Sequence, residues 1–279
     1  MSSERSVPDN GSDAAIESMA DDRLARAVFA NRIAQRIART GTGPSIVFGL
    51  AGPWGSGKTS MLRMIEEALK NISAETDARR WTVAHFTPWA ASDIDSLIIE
   101  FYTAVASALP REATRAKELL KAAAPAATAV GKALLAAGVN KILPNGYESA
   151  VQAATDAVGD KLGTVGVPDD PFQDRFDKIS EAIEKAGTRV LVVVDDLDRL
   201  HTDELLAVMK AVRLLGRFPN VHYLLSYDKT TVIDLLTSSD LARDNRDRAH
   251  RYLEKIVQYP FLLPRSNASI SSPNCTTDC

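Results

Sequence analysis

The sequence predicts a three-layer α/β fold around a mainly parallel five-stranded sheet, and three observations carry that expectation. Short, wholly apolar runs alternate with segments whose apolar residues recur at helical spacing, the rhythm of βαβ units whose helices cover both faces of a sheet. A glycine-rich loop joins the first of these runs to the helix that follows it. The most apolar run, residues 190–194, ends in two adjacent carboxylates, Asp195 and Asp196.

Residues 1–20 are rich in Ser, Asp and Gly and offer little apolar area to offset the entropy of ordering, so they are expected to form a disordered tail. From Asp21 onward, Leu24, Val28, Ile33 and Ile37 recur among several arginines and read as an amphipathic lead-in helix. Gly41, Gly43 and Pro44 end it, and residues 45–50 form the first strand. Met61, Leu62, Ile65 and Leu69 mark the helix after the loop, and residues 81–86 the second strand, closed by Pro88. Leu97, Ile98, Phe101, Val105 and Leu109 mark a further helix stopped by Pro110. Over residues 111–170 the rhythm fails: the chain is Ala-rich, broken by Pro125, Gly131, Gly138 and Pro144, and reads as an inserted helical segment. It resumes with a helix through Phe172, Phe176, Ile179 and Ile183, then the strand at 190–194. Next comes a helix over 202–215, with Thr202 as its N-cap, Asp203 and Glu204 in its first turn and Gly216 at its end. A strand at 221–225, helices over 230–236 and 241–257, and a proline-bounded edge strand at 259–264 complete the domain, which is expected to span 21–265 with a tail at 266–279.

A chain of 279 residues is long enough to bury one sizeable core. Its 33 basic and 36 acidic side chains leave a formal charge of −3, which exerts no global pull toward nucleic acid or anionic lipid. Cys275 and Cys279 lie too close to the end to staple a fold, and no second Cys/His pair completes a zinc site with them. The N-terminus lacks the apolar stretch of a secretory signal, and a cytoplasmic setting is expected.

The glycine-rich loop, Gly52, Pro53, Trp54, Gly55, Ser56, Gly57, Lys58 and Thr59, followed by Ser60, satisfies G-x-x-x-x-G-K-[ST] and sits between a strand and a helix, as a phosphate-binding loop must. Gly55 and Gly57 let backbone N–H groups close around phosphate oxygens, and the following helix adds the partial positive charge of its N-terminus. Lys58 is expected to reach the β- and γ-phosphates of ATP, and the Thr59 hydroxyl to ligate Mg2+. Alternation along the 190–194 strand divides the two acids: Asp195 toward the metal, Asp196 toward the γ-phosphate, where it would polarise the attacking water. A P-loop NTPase is the class these residues predict.

Other residues keep two readings. Trp54 is either a recognition residue or packing for the loop, and His85 at a strand end is either structural or near the phosphates. Ser226 and Asp228 end the 221–225 strand where a polar sensor of the γ-phosphate would stand. Arg199, Arg213, Arg217, Arg243, Arg246, Arg248 and Arg251 are all candidates for a charge-neutralising arginine finger.

Three stretches resemble the KAP P-loop NTPases: residues 52–60, the Asp195-Asp-Leu-Asp-Arg199 extension, and Tyr252-Leu-Glu-Lys-Ile256 with Pro260-Phe-Leu-Leu-Pro264. Phe86-Thr-Pro-Trp89 is similar to a Phe-Asn-Pro-Trp segment of that family, with Thr87 in place of Asn. The resemblance covers residues 21–264 and implies the sheet order 5-1-4-3-2, ATP as nucleotide, and an insertion between the second strand and the acidic pair. In many relatives that insertion holds transmembrane helices. Here Lys121, Lys132 and Lys141 divide it into apolar pieces shorter than the roughly 18–20 residues a bilayer requires, so a packing helix, an interfacial helix or a partner-binding surface is expected. Relatives also continue well past the Pro260–Pro264 motif, and a truncated member that binds ATP but hydrolyses it poorly is one expectation.

The leading functional expectation is Mg-dependent ATP hydrolysis that drives a conformational switch, with an unknown protein partner or a homo-oligomer, in a signalling, scaffold or phage-defence type assembly. The alternative is an ATP-binding scaffold with little or no hydrolysis. A GTPase is disfavoured because no Asn-Lys-x-Asp motif occurs.

Overall fold

Five strands, β1 (Val47–Ala51), β2 (Trp81–Phe86), β3 (Arg189–Val194), β4 (Val221–Tyr227) and β5 (Tyr259–Leu262), pair in parallel in the order β2-β3-β4-β1-β5. Read from the other edge, this is the expected 5-1-4-3-2. The computed structural model describes residues 15–16, 18–75, 81–91, 93–136, 171–215 and 217–264. The helices are α1 (Ala27–Ala38), α2 (Lys58–Glu75), α3 (Ile94–Ala108), α4 (Thr114–Ala136), α5 (Pro171–Ala186), α6 (Thr202–Lys210), α7 (Lys229–Ser238) and α8 (Arg246–Ile256).

The side-chain alternation of each strand sorts these elements into three layers. Phe48 and Leu50 of β1, Leu191 and Val193 of β3 and Leu224 of β4 pack against Ile33 and Ile37 of α1 and Met61, Ile65 and Leu69 of α2. The alternate residues, Val190, Val192, Val194, Tyr223 and Leu225, pack on the opposite face against α3, α6, α7 and α8, with α4 and α5 beyond. Every residue of β3 and β4 is buried, as parallel strands covered on both faces require. The edge strand β5 alternates exposed and half-buried positions, and Phe48 stacks on Tyr259 and Phe261 at 5.5 and 6.2 Å to hold it against β1.

Besides the last helix, expected from 241 but starting at Arg246 after the left-handed Arg243 and Asp244, the elements differ from the sequence expectation at four places. The lead-in helix starts at Ala27 instead of Asp21, and its buried face is Ala30, Ile33, Ala34 and Ile37, while Leu24 and Val28 are exposed. The reason is local: Asp22 accepts from the Ala27 N–H at 2.7 Å, and Ala25 is left-handed at φ 55°, so the chain turns before the helix begins. Residues 15–16 and 18–20, expected in the tail, instead lie along α2. The Arg63 guanidinium donates to the Ala15 and Ile16 carbonyls, Ile16 N–H donates to Ser60 Oγ, and Glu67 accepts from Met19 N–H at 2.8 Å. Ser60, Arg63 and Glu67 share one face of α2, and this face recruits a segment whose own composition offers no core.

The third difference is the helix after β3, which begins with His201 at the cap position and Thr202 already inside, with Glu204 accepting from the His201 N–H at 2.9 Å. It then widens into a π turn over Ala211–Leu215. Fourth, α4 runs through Pro125, which is exposed. The rest of the insertion, residues 137–170, and the C-terminal residues from 265 with both cysteines lie outside the described residues. No described helix is long and apolar enough to cross a membrane.

Gly49, in the middle of β1, shows how tightly the sheet is covered. A Cβ there would lie 2.7 Å from Val257 Cγ1 and 2.9 Å from the Tyr227 hydroxyl. Gly49→Ala is therefore expected to lower stability by about 1–3 kcal/mol through overpacking, read as a reduced urea midpoint at unchanged slope.

Candidate nucleotide-binding site

The carboxyl ends of β1, β4 and β3 meet at one rim of the sheet, and the loop between β1 and α2 crosses that rim. Gly55 and Gly57 hold φ of 72° and 82°, left-handed values that other residues adopt at a cost, and at Gly57 a Cβ would also come within 3.0 Å of Arg26 Nη1. Met61 N–H bonds to the Gly57 carbonyl at 3.0 Å and starts α2, so the first N–H groups of the helix point back across the loop. The loop forms the floor of a pocket of ≈ 420 Å³ lined by residues 54–60 with Ala15, Asp196 and Arg199.

The glycine-rich loop and the acidic pair come together here. β1 and β3 are separated by β4, about 10 Å at ordinary strand spacing. The first turn of α2 bridges that gap: Thr59 Oγ1 donates to Asp195 Oδ2 at 3.0 Å. This hydroxyl and carboxylate fit Mg2+, which is commonly held by one or two protein oxygens with phosphates and water supplying the rest. Asp196 departs from the strand direction. Its backbone is left-handed at φ 58° and ψ 43°, its N–H donates to Asp195 Oδ1 at 2.9 Å, and a 3-10 turn over Leu197–Arg199 follows. Asp196 lines the pocket. Burial first, and then the charge of Asp195, push the Asp196 carboxyl above the usual carboxylate range.

Lys58 is buried and curls over the loop, its Nζ 3.2 Å from the Gly52 carbonyl and 3.7 Å from Asp198 Oδ2. Asp198 was not singled out by the sequence, although it is part of the acidic extension. Its other oxygen accepts from the Asp228 N–H at 3.1 Å, so one carboxylate links the loop lysine to the β4–α7 corner. Asp228 itself caps α7 by accepting from Thr230 and Thr231 N–H, which accounts for its carboxylate without a sensor role. Ser226 is different. The register that pairs Val194 with Leu225 sets it beside Asp195, and its buried hydroxyl has no hydrogen-bond partner among the described residues.

His85 does not line the pocket. Its Nε2 lies 3.2 Å from Glu66 Oε2 on α2, and that hydrogen bond is the main cause of a raised imidazole pKa, opposed by partial burial. Of the seven candidate arginines, Arg199 alone lines the pocket. Its Nε is 3.1 Å from Asp196 Oδ2, and its guanidinium lies over the Trp54 ring at 5.1 Å. Arg246 is paired with Asp234 instead, and Arg217, Arg243, Arg248 and Arg251 are exposed.

Arg26 is the residue the sequence reading missed, since it looked like one of several charges on a solvated helix face. It is buried, donating to the Ser56 carbonyl at 2.5 Å and the Pro264 carbonyl at 3.1 Å, and so fastens the loop to the chain leaving β5. Nothing in the sequence distinguished it from the other arginines of the expected helix, because only the structure starts that helix at Ala27 and puts Arg26 at its cap.

The family described as KAP family P-loop domain matches residues 26–278. The phage T7 exclusion protein of Escherichia coli (strain K12) is 26% identical over 275 residues, covering 92% of this chain and 35% of that protein, so the chain spans about a third of that relative's length. Among solved structures, the ORC1 protein of Aeropyrum pernix in complex with DNA is similar at a TM-score of 0.43 and 11% identity, covering 88% of this chain and 46% of that one. The ORC2 protein of Aeropyrum pernix in ADPNP–ADP complexes is similar at 0.40 and 12%, covering 88% and 49%.

Arg26→Ala leaves two carbonyls without their donor and is expected to lower stability by about 1.5–3 kcal/mol per charged hydrogen bond lost, measured by thermal or urea unfolding. The His85–Glu66 pair predicts a pH effect. Because the folded pKa of His85 is raised, its stabilising contribution is fully present below the ordinary value of 6.5 and fades as pH rises through the raised value. Glu66→Gln should return the His85 titration toward 6.5, as followed by NMR of the ring protons.

Proposed function

Because the chain belongs to the KAP family of P-loop domains, we propose that its site binds Mg-ATP and hydrolyses it, and that the γ-phosphate sets the position of the β3–α6 connection. The observation that carries this reading is the division of labour between the two acids after β3. Asp195 is tied to Thr59 on the side of the loop, and Asp196 is turned by its left-handed backbone to the pocket that it lines. A carboxylate at that place can accept the proton of an attacking water.

The roles follow from position. The N–H groups of residues 55–60 and the α2 N-terminus cradle phosphate oxygens. Lys58 leaves the Gly52 carbonyl to reach the β- and γ-phosphates. Thr59 and Asp195 would hold Mg2+, which would supply shielding for the charge of the phosphates. Asp196 orients and deprotonates the water, and the Ser226 hydroxyl has a free donor for a γ-phosphate oxygen. When Lys58 turns to phosphate, Asp198 loses its cationic neighbour while still holding the Asp228 N–H, so nucleotide occupancy is passed to the β4–α7 corner. Likeness to the phage T7 exclusion protein supports a defence-type assembly as the setting for this switch.

A second reading, an ATP-holding scaffold, is favoured by the engagement of Lys58 with Asp198 and of Asp196 with Arg199. Asp196→Asn separates the two. Hydrolysis predicts a fall in phosphate release of about 10²–10⁴-fold with ATP affinity largely kept, measured by coupled phosphate assay and calorimetry. Equal release from both proteins would leave the scaffold. Lys58→Ala should weaken both binding and release.

A further inference from the structure

We propose that Arg199 is the γ-phosphate-sensing arginine of this site, a guanidinium that holds Asp196 while no triphosphate is bound and leaves it for the γ-phosphate of ATP. The inference rests on the hydrolytic reading and adds what controls it. Arg199 reaches Asp196 Oδ2 through Nε at 3.1 Å, and its own N–H donates to the Asp196 carbonyl at 3.1 Å, closing the turn that follows β3. Among the described residues, no carboxylate other than Asp196 pairs with the guanidinium. Instead it lies over the rings of two tryptophans, Trp54 at 5.1 Å and Trp89 at 6.0 Å.

These two indoles are 70% and 52% exposed, unusual for the largest apolar side chain, and they come from separate parts of the chain, the phosphate loop and the turn after β2. Their common feature is the cation between them. An aromatic face attracts a guanidinium without demanding one hydrogen-bond direction, so Trp54 and Trp89 keep Arg199 at the pocket mouth while letting it slide. The Arg199 side chain is 46% exposed, and an ion pair in that setting is weak and screened. A γ-phosphate on the loop offers more charge and a bidentate match to the planar fork, which favours exchange. ADP, lacking that group, leaves Arg199 on Asp196.

Two consequences follow from one movement. Asp196 is released to accept a proton from water only when there is a γ-phosphate to attack, and the departing guanidinium neutralises charge on the phosphoryl oxygens. Trp54, equally a recognition or packing residue in the sequence, becomes part of the rail on which the arginine travels.

The test uses the full chain with Mg-ADP, a Mg-bound non-hydrolysable ATP analogue and Mg-ATP, and reads tryptophan emission and phosphate release. Trp81 is buried against His222 and away from the pocket, so changes report Trp54 and Trp89. In the wild-type chain the triphosphate analogue is expected to change emission where ADP does not. Arg199→Ala is expected to abolish that difference, to lower phosphate release by about 10³-fold or more, as for other arginine fingers, and to keep ADP affinity. Arg199→Lys should keep part of the emission change and little of the turnover, because an ammonium lacks the planar fork. An emission difference between the two nucleotides that persists in Arg199→Ala, or wild-type turnover in that variant, overturns the inference and leaves the hydrolytic reading standing. A wild-type chain that binds neither nucleotide overturns both.

Discussion

The hydrogen bond from Thr59 to Asp195 is the contact on which the rest of the site depends, because it joins two strand ends that are not neighbours in the sheet. β4 lies between β1 and β3, and the loop after β1 has to carry α2 sideways over β4 before its first turn meets the acids after β3. The glycines at 55 and 57 permit that path, and the packing of Met61, Ile65 and Leu69 on Phe48, Leu191 and Leu224 fixes where the helix starts. The precision of a hydroxyl-to-carboxylate contact at the rim is thus set by apolar packing below it.

Around that contact the structure gathers charge that an apolar core does not tolerate unpaired. Each charge has a partner: Asp198 and the Gly52 carbonyl for Lys58, Asp196 for Arg199, Thr59 for Asp195. Arg26 behaves otherwise. It is bound to two carbonyls and lies behind the loop, so its charge holds the loop in shape and adds positive potential beneath it. Arg26 is thus fixed on backbone carbonyls, whereas Lys58 and Arg199 each sit beside a carboxylate.

Much of this was legible in the sequence where local chemistry determines structure. The apolar run of β3 admits only a strand buried on both faces, and the glycine and Lys-Thr spacing of the loop admits few conformations. The order of the strands came from resemblance to the KAP family, because pairing between strands distant in the chain leaves no mark in either one. Arg26 and the segment at 15–20 were misread for the same reason: their partners, the Ser56 and Pro264 carbonyls and the α2 face of Ser60, Arg63 and Glu67, are backbone atoms or polar groups that no periodicity announces. Leu24 and Val28 kept helical spacing yet lie exposed, since the Asp22 cap and the left-handed Ala25 turn the chain before the helix.

The sequence by itself determined the class of the protein, a parallel α/β domain with a phosphate loop and an acidic pair, because glycine freedom, strand hydrophobicity and lysine and carboxylate chemistry are properties of the residues themselves. Only the tertiary structure decided which of the candidate arginines lines the pocket, that Asp228 is a helix cap while the Ser226 hydroxyl has no hydrogen-bond partner among the described residues, and that Asp196 takes a left-handed backbone. Those are questions of direction and distance between groups brought together by the sheet. A charge on a helix and a charge in a pocket are written with the same letter, and packing alone tells them apart.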